Sequence, residues 1–466
     1  MRMRWGMFAA LLPVLLPLWG GEGEAEPPED PAALKPGVIL PKVVTLHDPA
    51  QSYALYIPSY YTPEKKWPIL YAFSPNAQGG TPVNLFRNAA EQFGWIVAGS
   101  NVARNGPYEP IRAASEALWK DTWARLALDE TRLYATGFSG GARMACEMAL
   151  ERDKPFAGWI PCGAGFSSNV RPKEGDGLRV CALVGRQDFN FDEVQRMKRA
   201  LERLKLPCRL TVFEGGHDWP PRKLAYGAVR YLDLAARCAS PEPGGETLTA
   251  MLKEELAAAR KLLDDPRLFM DGYRQLRDLQ ALAAKAPGVE AVAALAAEIE
   301  AAPKFKQELA AEDALNALRD ELDELTDTHE RFARMVEAYR GFGAKHPGTA
   351  AASLAQETLD GLPEQMAFAG RLLMRRMDFA RAAVYLERAL SLQPNPDLAY
   401  ALACARARAG EKDAACAALE EAVQLGFRDG AHLNSNEDLA GLREEPRFKA
   451  LAVKLAAAPP AAKTGP

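Results

Sequence analysis

The sequence predicts an α/β fold with a mainly parallel sheet, followed by an all-α region of helical repeats. Residues 37–239 alternate short β-branched runs with helical stretches, which is typical of a sheet covered by helices. A Pro/Gly-rich linker at 240–246 interrupts this pattern, and Ala, Leu, Glu, Lys and Arg dominate after it without a convincing strand. A chain of 466 residues also exceeds what one hydrophobic core usually supports. We therefore expect two or three folded domains.

The charge balance argues against nucleic acid as a partner. The chain carries 57 Lys and Arg against 61 Asp and Glu, a formal net charge of -4. Proteins that bind nucleic acid need a basic excess to neutralise phosphates. We therefore expect no nucleic-acid partner, and the net charge does not identify a substrate.

The N-terminal residues predict a signal peptide at 1–25 and a linker at 26–36. Two arginines precede an apolar run at 5–19, which two prolines interrupt. This run is shorter than the roughly 20 apolar residues of a membrane-spanning helix. We expect cleavage near Ala25 and a secreted or periplasmic protein with no stable membrane span afterwards. An uncleaved anchor or a buried N-terminal helix is the alternative.

Seven segments predict the strands of the sheet domain at 37–239. The first two are separated by a Pro-containing turn and predict an antiparallel hairpin at the sheet edge. The other five alternate with helical stretches, so we expect them to be parallel. The segments are 42–46, 52–57, 67–73, 95–98, 132–135, 179–184 and 209–213.

The helical half divides into two predicted parts and a tail. Residues 247–362 contain two similar turns, at 282–288 and 342–348, each between helical runs, which indicates repeated helix pairs. Residues 363–458 carry small and apolar residues at regular spacings, and we expect 459–466 to be a disordered tail.

The spacings in 363–458 resemble the tetratricopeptide repeat, in which small residues let two helices pack closely. The positions that match are Gly370, Ala382, Leu386, Ala389 and Pro394, and a shorter second copy runs from 397 to 426. One helix pair cannot bury its own apolar face, so we expect the helical half to stack into a solenoid. The resemblance implies a protein partner bound by the repeats, and a simple dimer or spacer module is the alternative.

The strongest chemical signal is the pentapeptide Gly137-Phe138-Ser139-Gly140-Gly141. A predicted strand precedes it and a predicted helix follows it. A serine at the tip of such a sharp strand-to-helix turn needs nearly bare neighbours, which the glycines provide. We therefore predict Ser139 as a nucleophile.

A serine nucleophile needs a base, and the base needs an orienting carboxylate. Among the five histidines, His217 is the one that follows Ser139 within the sheet domain, just after the last predicted strand. Asp188 follows the penultimate strand and is the predicted acid. Asp192 is the alternative acid, while Asp218 is adjacent to the base and poorly placed to reach its far nitrogen.

At these residues the chain resembles the α/β-hydrolase superfamily, in particular esterases similar to polyhydroxybutyrate depolymerases and feruloyl esterases. The segments that carry the resemblance are 53–58, 129–141 and 215–220. The order Ser139, Asp188, His217 is that of the superfamily. The resemblance implies acyl transfer to water through an acyl-enzyme, with no metal and no organic cofactor.

The chain departs from the superfamily in the loop that completes the oxyanion hole. Such enzymes usually carry His-Gly after the third strand, whereas this chain has Ser74-Pro75, and proline has no amide hydrogen. We therefore expect the hole to use the N–H of Gly140 together with the N–H of Asn76 or Ala77, or the Asn76 side-chain amide.

Other polar residues and the cysteines are less informative. Asn101 and Arg104 could line the mouth of the site or simply be solvated loop residues. The seven cysteines show no metal-ligand spacing, so we expect no zinc site, and their odd number leaves at least one free thiol. The connection between 160 and 178 is too short for a large apolar lid.

Taken together, these features predict an exported serine hydrolase of short-chain, aromatic or polymer-linked carboxylic esters. The altered Ser74-Pro75 loop keeps open a second hypothesis, a catalytically inactive hydrolase-like domain in a repeat-based binding scaffold. A serine peptidase of the same fold is a third.

Overall fold

The computed structural model describes residues 34–151, 153–240, 245–325 and 328–456. The predicted signal peptide, most of the linker at 26–36 and the predicted tail lie outside these residues. The chain divides into the units Met1–Lys35 and Pro36–Pro466, and the sheet and helices described here belong to the second unit.

The N-terminal half of this unit is built on one eight-stranded sheet. The order is β1-β2-β4-β3-β5-β6-β7-β8, in which β1–β2 and β2–β4 are antiparallel and all other pairs are parallel. This is the strand order of the α/β-hydrolase fold, so the predicted fold class is confirmed. The strands are β1 Ile39–Val44, β2 Ser52–Tyr56, β3 Trp67–Phe73, β4 Ile96–Ser100, β5 Leu128–Phe138, β6 Gly158–Cys162, β7 Arg179–Gly185 and β8 Cys208–Phe213.

One strand, β6, was not among the predicted segments. It reads Gly-Trp-Ile-Pro-Cys, and all five residues are buried. Pro161 lies beside Gly137 of β5 within the parallel ladder. A glycine and a proline in a five-residue run weaken the usual strand pattern, which explains the omission.

Helices cover both faces of the sheet. On one face α1 and α5 pack together against Leu70 and Tyr134. On the other face the ring of Tyr71 contacts Trp119 of α2 at a centroid distance of 5.6 Å, because neighbouring strand residues point to opposite sides. The helices are α1 Gly80–Phe93, α2 Tyr108–Arg125, α3 Gly140–Glu151, α4 Phe191–Arg203 and α5 Arg222–Cys238.

The described residues after 245 are helical, as predicted. They form α6 Glu246–Leu263, α7 Phe269–Leu282, α8 Val289–Ala301, α9 Pro303–Glu324, α10 Thr328–Lys345, α11 Ala350–Arg375, α12 Phe379–Leu392, α13 Pro396–Arg408, α14 Lys412–Leu425, α15 Gly430–Ser435, a 3-10 helix Glu437–Leu442 and α16 Pro446–Ala456. Within the described part of the chain, no helix is long and apolar enough to cross a membrane.

The predicted boundary between residues 362 and 363 falls inside α11. This helix is 26 residues long and contains Pro363, so the helical half has no break at that boundary. A proline after a helical run usually ends the helix, but here the buried Leu362 and Pro363 keep α11 packed on both sides of that position.

The small residues of the repeat-like segment lie where helices approach closely. A Cβ added to Gly370 of α11 would lie 2.6 Å from Cγ of Leu386 of α12. Ala382, Leu386 and Ala389 are fully buried in the core shared by these helices. The residues therefore do what the spacing predicts, whereas membership of the tetratricopeptide family stays a prediction.

The helical half packs directly against the sheet domain through buried ion pairs. Glu255 of α6 accepts from Arg209 of β8 at 2.5 Å and from Arg230 of α5 at 2.8 Å, and its side chain is 1% exposed. Burial alone would raise the pKa of this carboxyl, but the two guanidiniums lower it below its usual range. The two halves of the described chain therefore share a charged interface.

Candidate active site

Ser139 lies at a strained turn between β5 and α3. Its φ of 53° is in the left-handed region, which costs about 1–2 kcal/mol for a residue other than glycine. The turn is held because the Ser139 N–H donates to the carbonyl of Cys162 in β6 at 2.9 Å. A Cβ on Gly137 would lie 2.2 Å from the Gly141 carbonyl oxygen, and one on Gly141 would lie 2.2 Å from that of Phe73. The flanking glycines are therefore sterically required.

His217 follows β8 and reaches the serine across the carboxyl edge of the sheet. Its Nε2 lies 2.9 Å from Ser139 Oγ. The imidazole contacts two aromatic rings, Phe138 at a centroid distance of 4.5 Å and Phe189 at 4.0 Å. This packing leaves the side chain 18% exposed and restricts how the ring can turn.

Asp188 lies behind the histidine in the loop after β7. Its Oδ1 is 2.8 Å from His217 Nδ1, and the carboxylate is fully buried. The same oxygen accepts from the Asn190 N–H at 2.8 Å, while the Asn190 side-chain amide donates to the Gly163 carbonyl at 2.8 Å. The carboxylate is therefore held within its own loop, and Asn190 connects that loop to Gly163, the residue after β6.

The other two carboxylates that the sequence offered do not reach the imidazole. Asp192 lies in the first turn of α4 and pairs with Arg196 of the same helix. Asp218 is exposed and accepts from the Trp219 N–H at 2.6 Å. Of the three candidates, Asp188 is the one that the structure brings to His217.

The predicted oxyanion-hole residues lie around the start of α3. Gly140 is the first residue of this helix, so its N–H has no acceptor within the helix and lies at the positive end of the helix dipole. The loop after β3 is adjacent, since a Cβ on Gly141 would lie 3.2 Å from the Ser74 nitrogen.

The backbone N–H groups of Asn76 and Ala77 in this loop make only long contacts, both with Ser74. The Asn76 N–H is 3.4 Å from Ser74 Oγ, and the Ala77 N–H is 3.4 Å from the Ser74 carbonyl oxygen. Both distances are long for hydrogen bonds, so these amides are only weakly satisfied within the loop. Ala77 also has a left-handed φ of 58°, which marks a tight turn at this point.

Asn105 also lies beside the site, although its sequence context does not mark it as a site residue. Its side-chain oxygen occupies the space beside Gly140, because a Cβ added there would lie 1.7 Å from Asn105 Oδ1. The Asn105 N–H donates to the Pro75 carbonyl at 2.9 Å, and Arg104 forms a β-bridge with Asn76. The 104–105 segment thus supports the loop after β3, and no local pattern in the sequence indicates this long-range pairing.

Asn101 and Arg104, the two polar residues that could line the mouth of the site, differ in their surroundings. The Asn101 side-chain amide donates to the Pro41 carbonyl at 3.0 Å, which ties it to the edge hairpin. The Arg104 residue is exposed.

All seven cysteines are unpaired in the structure. Burial raises the pKa of the Cys162 thiol, next to the serine turn, to about 12. Among the described residues no group of three or more His, Cys, Asp or Glu side chains is placed to hold a metal ion.

Comparison with known proteins gives matches to solved structures alone. No protein-family model matches the chain, and no curated protein matches it. S-formylglutathione hydrolase from Staphylococcus aureus is 15% identical with a TM-score of 0.35, covering 43% of this chain and 100% of that one. An arylesterase is 12% identical with a TM-score of 0.36, covering 43% and 87%. A carboxylesterase from Mesorhizobium loti is 17% identical with a TM-score of 0.33, covering 41% and 99%.

Each of these matches spans less than half of this chain. The identities and TM-scores are too low to carry substrate or mechanism across. The assignment of the fold rests on the strand order of this chain itself.

Proposed function

We propose that the protein is a serine hydrolase that cleaves carboxylic esters through Ser139, His217 and Asp188. The observation that carries this proposal is the continuous hydrogen-bonded chain from Ser139 Oγ to His217 Nε2, 2.9 Å, and from His217 Nδ1 to Asp188 Oδ1, 2.8 Å. A nucleophile, a base and an orienting acid in this relation form the arrangement that activates a hydroxyl.

In the acylation step, His217 Nε2 takes the hydroxyl proton as Ser139 Oγ attacks the ester carbonyl carbon. The carbonyl oxygen becomes an oxyanion, and the proposed donors to it are the N–H of Gly140 together with the N–H of Asn76 or Ala77, or the Asn76 side-chain amide. Asp188 stabilises the imidazolium that forms. The imidazolium then gives its proton to the leaving alkoxide, the C–O bond breaks, and the acyl group remains on Ser139.

In the deacylation step, water takes the place of the alcohol. His217 removes a proton from the water as its oxygen attacks the acyl carbon, and the resulting imidazolium returns the proton to Ser139 Oγ. The carboxylic acid leaves and the resting site is restored. Each donor of the hole is worth roughly 3–4 kcal/mol of transition-state stabilisation, so the altered loop has to supply its N–H for efficient turnover.

The connection after β6 supports a preference for esters with short, aromatic or polymer-linked acyl groups. Residues 163–178 contain no helix, so they form no helical lid over the cleft. We further propose that the protein is exported by residues 1–25 and that the helical repeats bind a protein partner.

Covalent labelling with a fluorophosphonate tests the proposed function. We expect labelling of the wild type and none of Ser139→Ala or His217→Ala, with both variants folded by circular dichroism. In the same preparation, acetyl and butyryl esters should be hydrolysed faster than palmitoyl esters. A folded wild type that is neither labelled nor active on any ester would favour the inactive scaffold, and cleavage of peptides in preference to esters would favour a peptidase.

A further inference from the structure

A residue of the helical half continues the aromatic packing that surrounds His217. The ring of Phe368 in α11 stacks on Phe189 with a centroid distance of 3.7 Å and an interplanar angle of 8°. Phe189 in turn packs on the imidazole of His217 at 4.0 Å. The rings of Phe368, Phe189 and His217 are therefore in successive contact, from α11 to the proposed base.

The same helix makes a second contact with the loops that carry the acid and the base. Glu357 of α11 pairs with Arg186, and the two side chains are 15% and 17% exposed. Arg186 lies two residues before Asp188 and also pairs with Glu214, at 2.9 Å, three residues before His217. One guanidinium thus joins the acid loop, the base loop and α11.

Backbone hydrogen bonds connect the two loops to each other at this point. The Arg186 N–H donates to the Phe213 carbonyl at 2.8 Å, and the Gln187 N–H donates to the Gly215 carbonyl at 2.9 Å. A displacement of one loop is therefore transmitted to the other. The contacts from α11 act on a unit that holds both Asp188 and His217.

The two contact residues share one face of α11. Glu357 and Phe368 are about three turns apart, so their side chains project in nearly the same direction. Gly361 lies between them and is buried, and a Cβ added to it would lie 4.0 Å from the Arg186 carbonyl oxygen. This face of α11 therefore follows the loop after β7 from Arg186 to Phe189.

We propose that α11 is a positioning element of the proposed active site, so that the helical half is part of the enzyme as well as a surface for partners. Phe368 acts through Phe189 to hold the imidazole of His217 at hydrogen-bond distance from Ser139. Glu357 acts through Arg186 to hold the acid and base loops together. This inference rests on the proposed function, because it concerns the orientation of the same three residues.

Substitution of Phe368 in the full-length protein tests the inference. We expect Phe368→Ala to lower kcat for an acetyl ester at least about tenfold, because a displacement of about 1 Å in a catalytic group costs up to about 100-fold. KM should stay within about twofold, since Phe368 acts on the base and not on the substrate. Phe368→Tyr, which retains the ring, should restore most of kcat.

A matched control is available within the helical half. Phe427 stacks on Tyr400 with an interplanar angle of 12°, so Phe427→Ala also removes one ring of a parallel pair. We expect Phe427→Ala to leave kcat unchanged. Equal losses of kcat in Phe368→Ala and Phe427→Ala, or a loss confined to KM, would overturn the inference.

A spectroscopic measurement separates this inference from the proposed function. The imidazole resonances of His217, assigned by comparison with His217→Ala, should shift or broaden in Phe368→Ala and Glu357→Gln but not in Phe427→Ala. Unchanged resonances in both α11 variants would overturn the inference. If the wild type is not labelled by the fluorophosphonate while these shifts occur, the proposed function fails and the positioning of His217 by α11 stands.

Discussion

Replacement of Asp188 by asparagine is the most direct test of which carboxylate supports His217. Asparagine has nearly the same shape as aspartate, so the buried position behind the imidazole stays filled. The asparagine amide can donate to Nδ1, which then lacks its proton, and Nε2 carries the proton instead. In that tautomer the imidazole cannot accept the proton of Ser139.

The expected loss follows from the short distance between the two side chains. An imidazolium and a carboxylate 2.8 Å apart attract each other by about 6 kcal/mol at an effective dielectric constant of about 20. Each 1.36 kcal/mol removed from transition-state stabilisation lowers the rate about tenfold. We therefore expect Asp188→Asn to lower kcat by about four orders of magnitude with little change in KM.

Steady-state and burst kinetics on a chromogenic acetyl ester measure this loss, and Asp192→Asn is the matched control. Asp192 pairs with Arg196 on α4 and makes no hydrogen bond to the imidazole, so its replacement should leave kcat within a fewfold of the wild type. If Asp188→Asn keeps more than about a tenth of the wild-type kcat, or if Asp192→Asn loses as much, the proposed role of Asp188 is wrong.

Two further predictions concern the interface and the serine turn. Glu255→Gln should lower the free energy of unfolding in urea by about 3 kcal/mol, and the more exposed Glu254→Gln by less than about 1 kcal/mol. Because the folded protein lowers the pKa of Glu255, the stability from its ion pairs is complete above the ordinary carboxyl pKa and disappears as pH falls through the lowered value. The difference in the free energy of unfolding between the wild type and Glu255→Gln should therefore decrease at acidic pH. A difference that does not change with pH would contradict this reasoning. Gly140→Ala should lower kcat/KM about tenfold, because the added methyl group would contact the Asn105 side chain. Adding Asn105→Ala to this variant should restore kcat/KM. Gly80→Ala is the control, since the space around Gly80 is free, and it should have no effect. Failure of the double variant to recover would mean that the contact is not the cause.

The parts of the site that the sequence predicts are those that depend on local chain geometry. The turn at Ser139 needs bare neighbours at Gly137 and Gly141, and these glycines stand beside the serine in the chain. Asp188 and His217 each follow a strand, and the carboxyl ends of parallel strands meet at one edge of a sheet. Strand order and chain direction therefore suffice to bring the three residues near one another.

The parts that the sequence does not predict depend on contacts between distant segments. Asn105 lies beside Gly140 because its loop pairs with the loop after β3, and neither loop has a pattern that indicates this pairing. Phe368 reads as an ordinary apolar residue of a helical repeat, and its stacking on Phe189 follows from how two domains pack. The strand β6 was missed for a different reason, because Pro161 breaks the local pattern.

The charges at the domain interface explain how α11 can be held at the precision that positioning of His217 requires. In most of the described ion pairs across it, the sheet domain supplies the cation and the helical half supplies the anion, for example Arg179–Asp278 at 3.1 Å and Lys198–Asp271 at 2.7 Å. Buried pairs add little net stability over apolar contacts, but a shifted arrangement would leave charges unpaired at a cost of several kcal/mol. Such an interface selects one orientation among many that an apolar surface would allow. The interface of α6 and α7 with the sheet domain therefore limits where α11 can lie. The pair of Glu357 with Arg186 again joins an anion of the helical half to a cation of the sheet domain, at the edge of the proposed active site.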